Sequence, residues 1–90
     1  MTTKSLAVYR APSALCVQIG AAIQTLREQR RLSRAALSTR ARVSGWSLFA
    51  VEIGEAVILL DQLDRISAAL GVEPFDIVRM AERAVRAHAK

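Results

Sequence analysis

Residues 32–54, LSRAALSTRARVSGWSLFAVEIG, leave this chain few ways to fold. Ser33 and Ser44 each stand where a side-chain oxygen accepts an unpaired backbone N–H of a first helical turn. An apolar residue precedes each serine and another sits at the fourth helical position, Leu32 with Leu37 and Val43 with Leu48. Such pairs staple the entering chain to the helix. Leu37, Ala41, Val43, Leu48 and Val51 then fall at the spacing that turns two inner faces toward each other. Small Ser38 sits where the backbones must come close. The stretch therefore predicts two short helices, over 34–41 and 45–53, joined by a tight turn.

That unit is a helix-turn-helix, and its residues resemble the lambda-repressor/Cro-type (XRE-like) family. Leu32-Ser33, Leu37, Ala41, Val43-Ser44, Leu48, Glu52 and Gly54 match the family pattern. So do Ile19-Gly20 and Leu26-Arg27 upstream, and Leu63, Ile66, Ala69-Leu70-Gly71-Val72 and Pro74 downstream. The resemblance implies an all-α, five-helix DNA-binding domain. It implies a cytoplasmic protein of prokaryotic or phage origin. It also implies that Arg27 pairs with Glu52, tying the first helix to the recognition helix.

The rest of the chain agrees with one small helical domain. Ninety residues, 52% hydrophobic with four aromatics, suit a single core of Leu, Ile, Val and Ala. Residues 1–12 read as a flexible arm carrying Lys4 and Arg10. A first helix runs from Ser13 to Arg30 with the stripe Leu15, Ile19, Ala22, Ile23 and Leu26. A fourth, over 61–70, buries Leu60, Leu63, Ile66 and Leu70 and stops at Gly71 in a left-handed cap, with Val72 as its apolar contact. Pro74 opens a fifth helix that runs to His88, with Asp76 near its positive end. Phe75, Ile77, Val78 and Ala81 face the core. Beyond them Ala84, Val85 and His88 prolong the stripe, either as a surface for a second copy or as a solvated tail.

Composition excludes much. No apolar run reaches the length of a membrane span, and the first ten residues lack the hydrophobic stretch of a secretory signal. A lone Cys16 forms no internal disulfide and reads as a structural thiol. One Cys and one His have no zinc-ligand spacing. No catalytic set and no phosphate-cradling glycine loop is present, so neither an enzyme nor a cofactor is expected.

Net charge is +5, and eleven of the thirteen basic residues are Arg. Arg27, Arg30, Arg31, Arg34, Arg40 and Arg42 crowd the first two helices against a single Glu28. They form either a solvated face or a footprint for an anionic partner, with nucleic acid first. In the family the second helix of the motif enters the major groove. By position, Ser44, Gly45, Trp46, Ser47 and Ala50 then face bases, while Arg31, Arg34 and Arg42 grip phosphate.

Departures from the pattern cut the other way. Gly, Trp and Ala replace the bidentate side chains that tell base pairs apart. Trp46 can touch a thymine methyl, but its bulk can also hold the helix off the groove. Arg34 replaces a glutamine. Arg42 replaces the glycine of the turn, where a left-handed backbone is expected at a cost of about 1 kcal/mol. Val57, Ile58 and Leu59 exceed what the core needs. With Trp46 and Phe49 they form an apolar interface patch, unless Phe49 and Ile58 fold inward. Two functions remain open at this point. One is a DNA-binding transcriptional regulator, homodimeric through its last helix. The other is a protein-interaction module using Trp46, Phe49, Ile53, Val57 and Ile58.

Overall fold

The computed structural model describes residues 11–89, and the expected N-terminal arm lies outside them up to residue 10. Five helices follow in order: α1 Ala14–Gln29, α2 Arg34–Ala41, α3 Gly45–Glu52, α4 Leu60–Leu70 and α5 Pro74–His88. No strand occurs among the described residues. Each helix contributes a large aliphatic side chain with no solvent exposure: Ile23, Leu37, Leu48, Ile66 and Ile77. Burying such a side chain contributes about 1.5–3 kcal/mol each, so the core needs all five helices at once.

Starts and stops follow local chemistry. Ser13, Ser33 and Ser44 accept from the backbone N–H groups of Cys16, Ala36 and Ser47 at 3.0–3.1 Å. Leu59 stands at the α4 cap without an oxygen to offer, and Gln62 compensates by accepting the Leu59 N–H at 3.0 Å. Asp76 does the same for Glu73 at 2.9 Å. Four helices end on a left-handed residue whose successor reaches back into the last turn. These are Arg31 (φ 56°), Arg42 (φ 57°), Gly54 (φ 79°) and Gly71 (φ 77°). The two arginines bear the conformational cost that glycine avoids. That cost was expected at Arg42 and not at Arg31.

Three residues expected in the core lie outside it. Leu60 is 83% exposed, because α4 buries Leu63, Ile66, Ser67 and Leu70 and Leu60 opens the helix beyond that face. Phe75 stands two residues before buried Ile77, on another side of α5, and the Arg79 guanidinium covers its ring at 4.6 Å. Leu15, in the first turn of α1, sits at the edge of a buried face made by Cys16, Ile19, Gly20 and Ile23.

Two contacts position the recognition helix. At Gly20 the backbones of α1 and α3 approach so closely that an added Cβ would meet the Val51 carbonyl oxygen at 1.9 Å. Behind it, the Cys16 sulfur accepts the Ile58 N–H at 3.4 Å and lies 3.8 Å from the Ala56 oxygen, latching the α3–α4 loop onto α1. The expected overhang of α5 is partly used within the chain, with His88 at its end left exposed. α5 packs more extensively on α1 than any other helix pair, and Ala84 and Val85 are half-buried.

Candidate nucleic-acid interface

α3 divides by exposure. Leu48, Val51 and Glu52 are buried, while Ser44, Gly45 and Trp46 are exposed, and Ser47, Phe49 and Ala50 are intermediate. The sequence places polar Glu52 on the inner face, and the structure supplies its partners. Its side chain has no solvent exposure. Arg27 donates to it twice, Nε to Oε2 at 2.8 Å and Nη2 to Oε1 at 3.1 Å. Such a forked pair fixes geometry as well as charge. Arg27 Nη1 also donates to the Leu32 carbonyl at 2.8 Å. Hydrogen bonding to Glu52 is the largest influence on Arg27 and raises its pKa, with burial opposing and the charges of Glu52 and Glu28 adding.

A third donor went unforeseen. Arg34 Nε bonds Glu52 Oε1 at 2.9 Å, so one carboxylate joins α1, α2 and α3. The Arg34 guanidinium also lies 5.0 Å from the centre of the Phe49 ring, and Trp46 tilts against the other aromatic at 5.9 Å between centroids. A continuous column results: Arg27, Glu52, Arg34, Phe49, Trp46. Phe49 and Glu52, three apart on one helix, share a face.

The remaining candidate residues surround this column. Arg34 keeps a 36% exposed side chain, and its Nη groups make no hydrogen bond among the described residues. Arg30, Arg31, Arg40 and Arg42 are exposed and make no ion pair among the described residues. The Ser44 hydroxyl is occupied by the cap, accepting from Ser47 N–H and donating to Ser47 Oγ at 2.9 Å. Trp46 is 77% exposed and opens onto a shallow apolar groove with Ala50, Ala56, Val57 and Leu59. Ile58 turns inward against the core instead, and Phe49 is half-buried, so the expected patch is smaller than five residues.

No group of three or more His, Cys, Asp or Glu side chains able to hold a metal occurs among the described residues. No helix among them is long and apolar enough to cross a membrane.

The arrangement has known counterparts. The chain is similar to the clp gene regulator ClgR from Corynebacterium glutamicum, with a TM-score of 0.81 and 25% identity over 89% of this chain and 84% of that one. The restriction-modification controller protein C.AhdI from Aeromonas hydrophila superposes with a TM-score of 0.69 and 25% identity, covering 72% and 98%. The competence regulator ComR from Streptococcus vestibularis gives 0.68 and 32% identity, covering 72% of this chain and 22% of its own length. No curated protein matches by sequence. The helix-turn-helix family model matches residues 23–77. With that match spanning more than half of its residues, the chain belongs to the Cro/C1-type helix-turn-helix family.

Proposed function

We propose that this protein is a DNA-binding transcriptional regulator that docks α3 in the major groove. The observation that carries the reading is the exposed start of α3, braced from behind by Glu52 and flanked by unpaired arginines. Ser44, Gly45, Trp46, Ser47 and Ala50 face the bases. Arg31, Arg42 and the free Nη groups of Arg34 meet phosphate on either side. The protein acts in the cytoplasm as a homodimer joined through α5, since paired half-sites suit a two-fold protein.

A mobility-shift titration of duplex DNA at several salt concentrations tests this. Log affinity should fall with log salt by about 0.9 per phosphate contacted. Arg31→Ala should weaken binding to all sequences alike and flatten that slope by about one unit. Arg31 serves better than Arg34 here, because Arg34 also holds Glu52. No complex at low salt would remove DNA and leave the second reading, a protein-interaction surface. One observation favours that reading, the exposure of Trp46, Val57 and Leu59. The arginine flank and the family argue for DNA.

A further inference from the structure

We infer that the protein reads its DNA chiefly through pyrimidine C5-methyl groups, with Trp46 as the residue that selects them. The inference rests on the DNA-binding reading and names what the binding surface accepts. Five positions face the groove, and they offer little to hydrogen-bond with. Gly45 and Ala50 have no polar side-chain atom. Ser44 is occupied by its cap, leaving the Ser47 hydroxyl proton and the Trp46 indole N–H as the side-chain donors. What the surface offers in greater measure is apolar area, as Trp46, Ala50, Val57 and Leu59 line one groove, with Ser47 and Gln62 as its polar members.

Base edges in the major groove are not equally suited to such a surface. Guanine, adenine and cytosine present only acceptors or amine donors there, while thymine adds a methyl group. Pressing apolar side chains onto a purine edge strips water from polar atoms and returns no hydrogen bond. Pressing them onto a methyl group buries apolar area against apolar area. The same surface therefore rejects one set of edges and accepts another, and 5-methylcytosine carries the accepted group as thymine does.

Trp46 is also braced on one side. Its ring tilts against Phe49, Phe49 is covered by Arg34, and Arg34 is bonded to buried Glu52. The Phe49 contact limits where the exposed Trp46 ring can lie, which lowers the rotamer entropy lost on binding. The arginines around it bring the required charge complementarity, and the groove continues the α3 surface itself.

The test starts from duplexes selected by the full chain out of a randomised pool. Each thymine of the selected site is then replaced by uracil, which lacks only the methyl. Separately, a cytosine placed at that position is compared with 5-methylcytosine. Uracil at a contacted position should weaken binding about three- to five-fold, the effect of losing one buried methyl. 5-Methylcytosine should bind tighter than cytosine by a similar factor. Both differences should vanish in Trp46→Ala, which removes an exposed side chain and should keep the helical spectrum. Equal uracil effects in both proteins would overturn the inference, as would no uracil effect at all. Failure of the full chain to bind any duplex at low salt would overturn this inference and the regulator reading together.

Discussion

Glu52→Ala is the sharpest perturbation of the scaffold behind the reading helix. The carboxylate accepts three charge-assisted hydrogen bonds, two from Arg27 and one from Arg34, and none of its side chain reaches solvent. Arg34 is over one-third exposed and can exchange its bond for water, so its part of the loss is small. Arg27 has no such escape. Its side chain is 9% exposed and would keep only the Leu32 carbonyl and a 4.0 Å ion pair with exposed Glu28. Stranding one partner of a buried pair costs about 3–5 kcal/mol. A domain of this size loses about 4–8 °C in Tm per kcal/mol. A fall of roughly 12 °C or more is expected, read by circular dichroism on heating. Glu55→Ala, on an exposed residue of the next loop, should move Tm by about 4 °C at most. Arg27→Met with Glu52→Leu should recover much of the loss, because a well-packed apolar pair replaces a buried ionic one at little cost. Equal falls for Glu52→Ala and Glu55→Ala would refute the buried-bridge argument. The raised pKa of Arg27 contributes stability at every pH below arginine's ordinary range and loses it only under strongly alkaline conditions. Around neutral pH that group should therefore leave Tm flat.

Gly20→Ala should force α1 away from the Val51 carbonyl and destabilise by about 3 kcal/mol, measured by urea denaturation, more than Gly71→Ala, where a Cβ meets nothing within 4 Å. Arg42→Gly should stabilise by about 1 kcal/mol in the same assay by relieving the left-handed backbone, while lowering the salt slope of DNA binding by about one unit. Truncation after Arg83 should convert a dimer to a monomer in sedimentation with helical content largely kept. A full-length chain already monomeric at high micromolar concentration would end the proposed role of α5 in self-association.

What could be read from the sequence was what depends on near neighbours. Serine caps, apolar staples, Pro74 and Gly71 act within one turn of the chain, and the five helices follow from them. The Arg27–Glu52 pair came through the family pattern, which included Gly20 but gave no reason for it. Residues that failed did so for reasons of reach. Leu60 and Phe75 are apolar at helix starts, where the periodic stripe runs beyond the body it faces. Arg31 gave no glycine to mark its left-handed turn. Arg34 found Glu52, eighteen residues on, only because the start of α2 meets the end of α3, which no periodicity reports.

Within α3 the buried letters, Leu48, Val51 and Glu52, alternate with the outward ones, Gly45, Trp46 and Ala50. The inner set is locked to α1 by a backbone contact and a carboxylate, so it sets where the helix lies. The outer set touches nothing on which that placement depends, apart from the tilt of Trp46 on Phe49. Mutations at exposed Gly45 can therefore drift at little folding cost, and a new operator preference can arise in one or two steps on an unchanged frame. The converse follows too. A thermal melt of such a variant would look native while its target had changed.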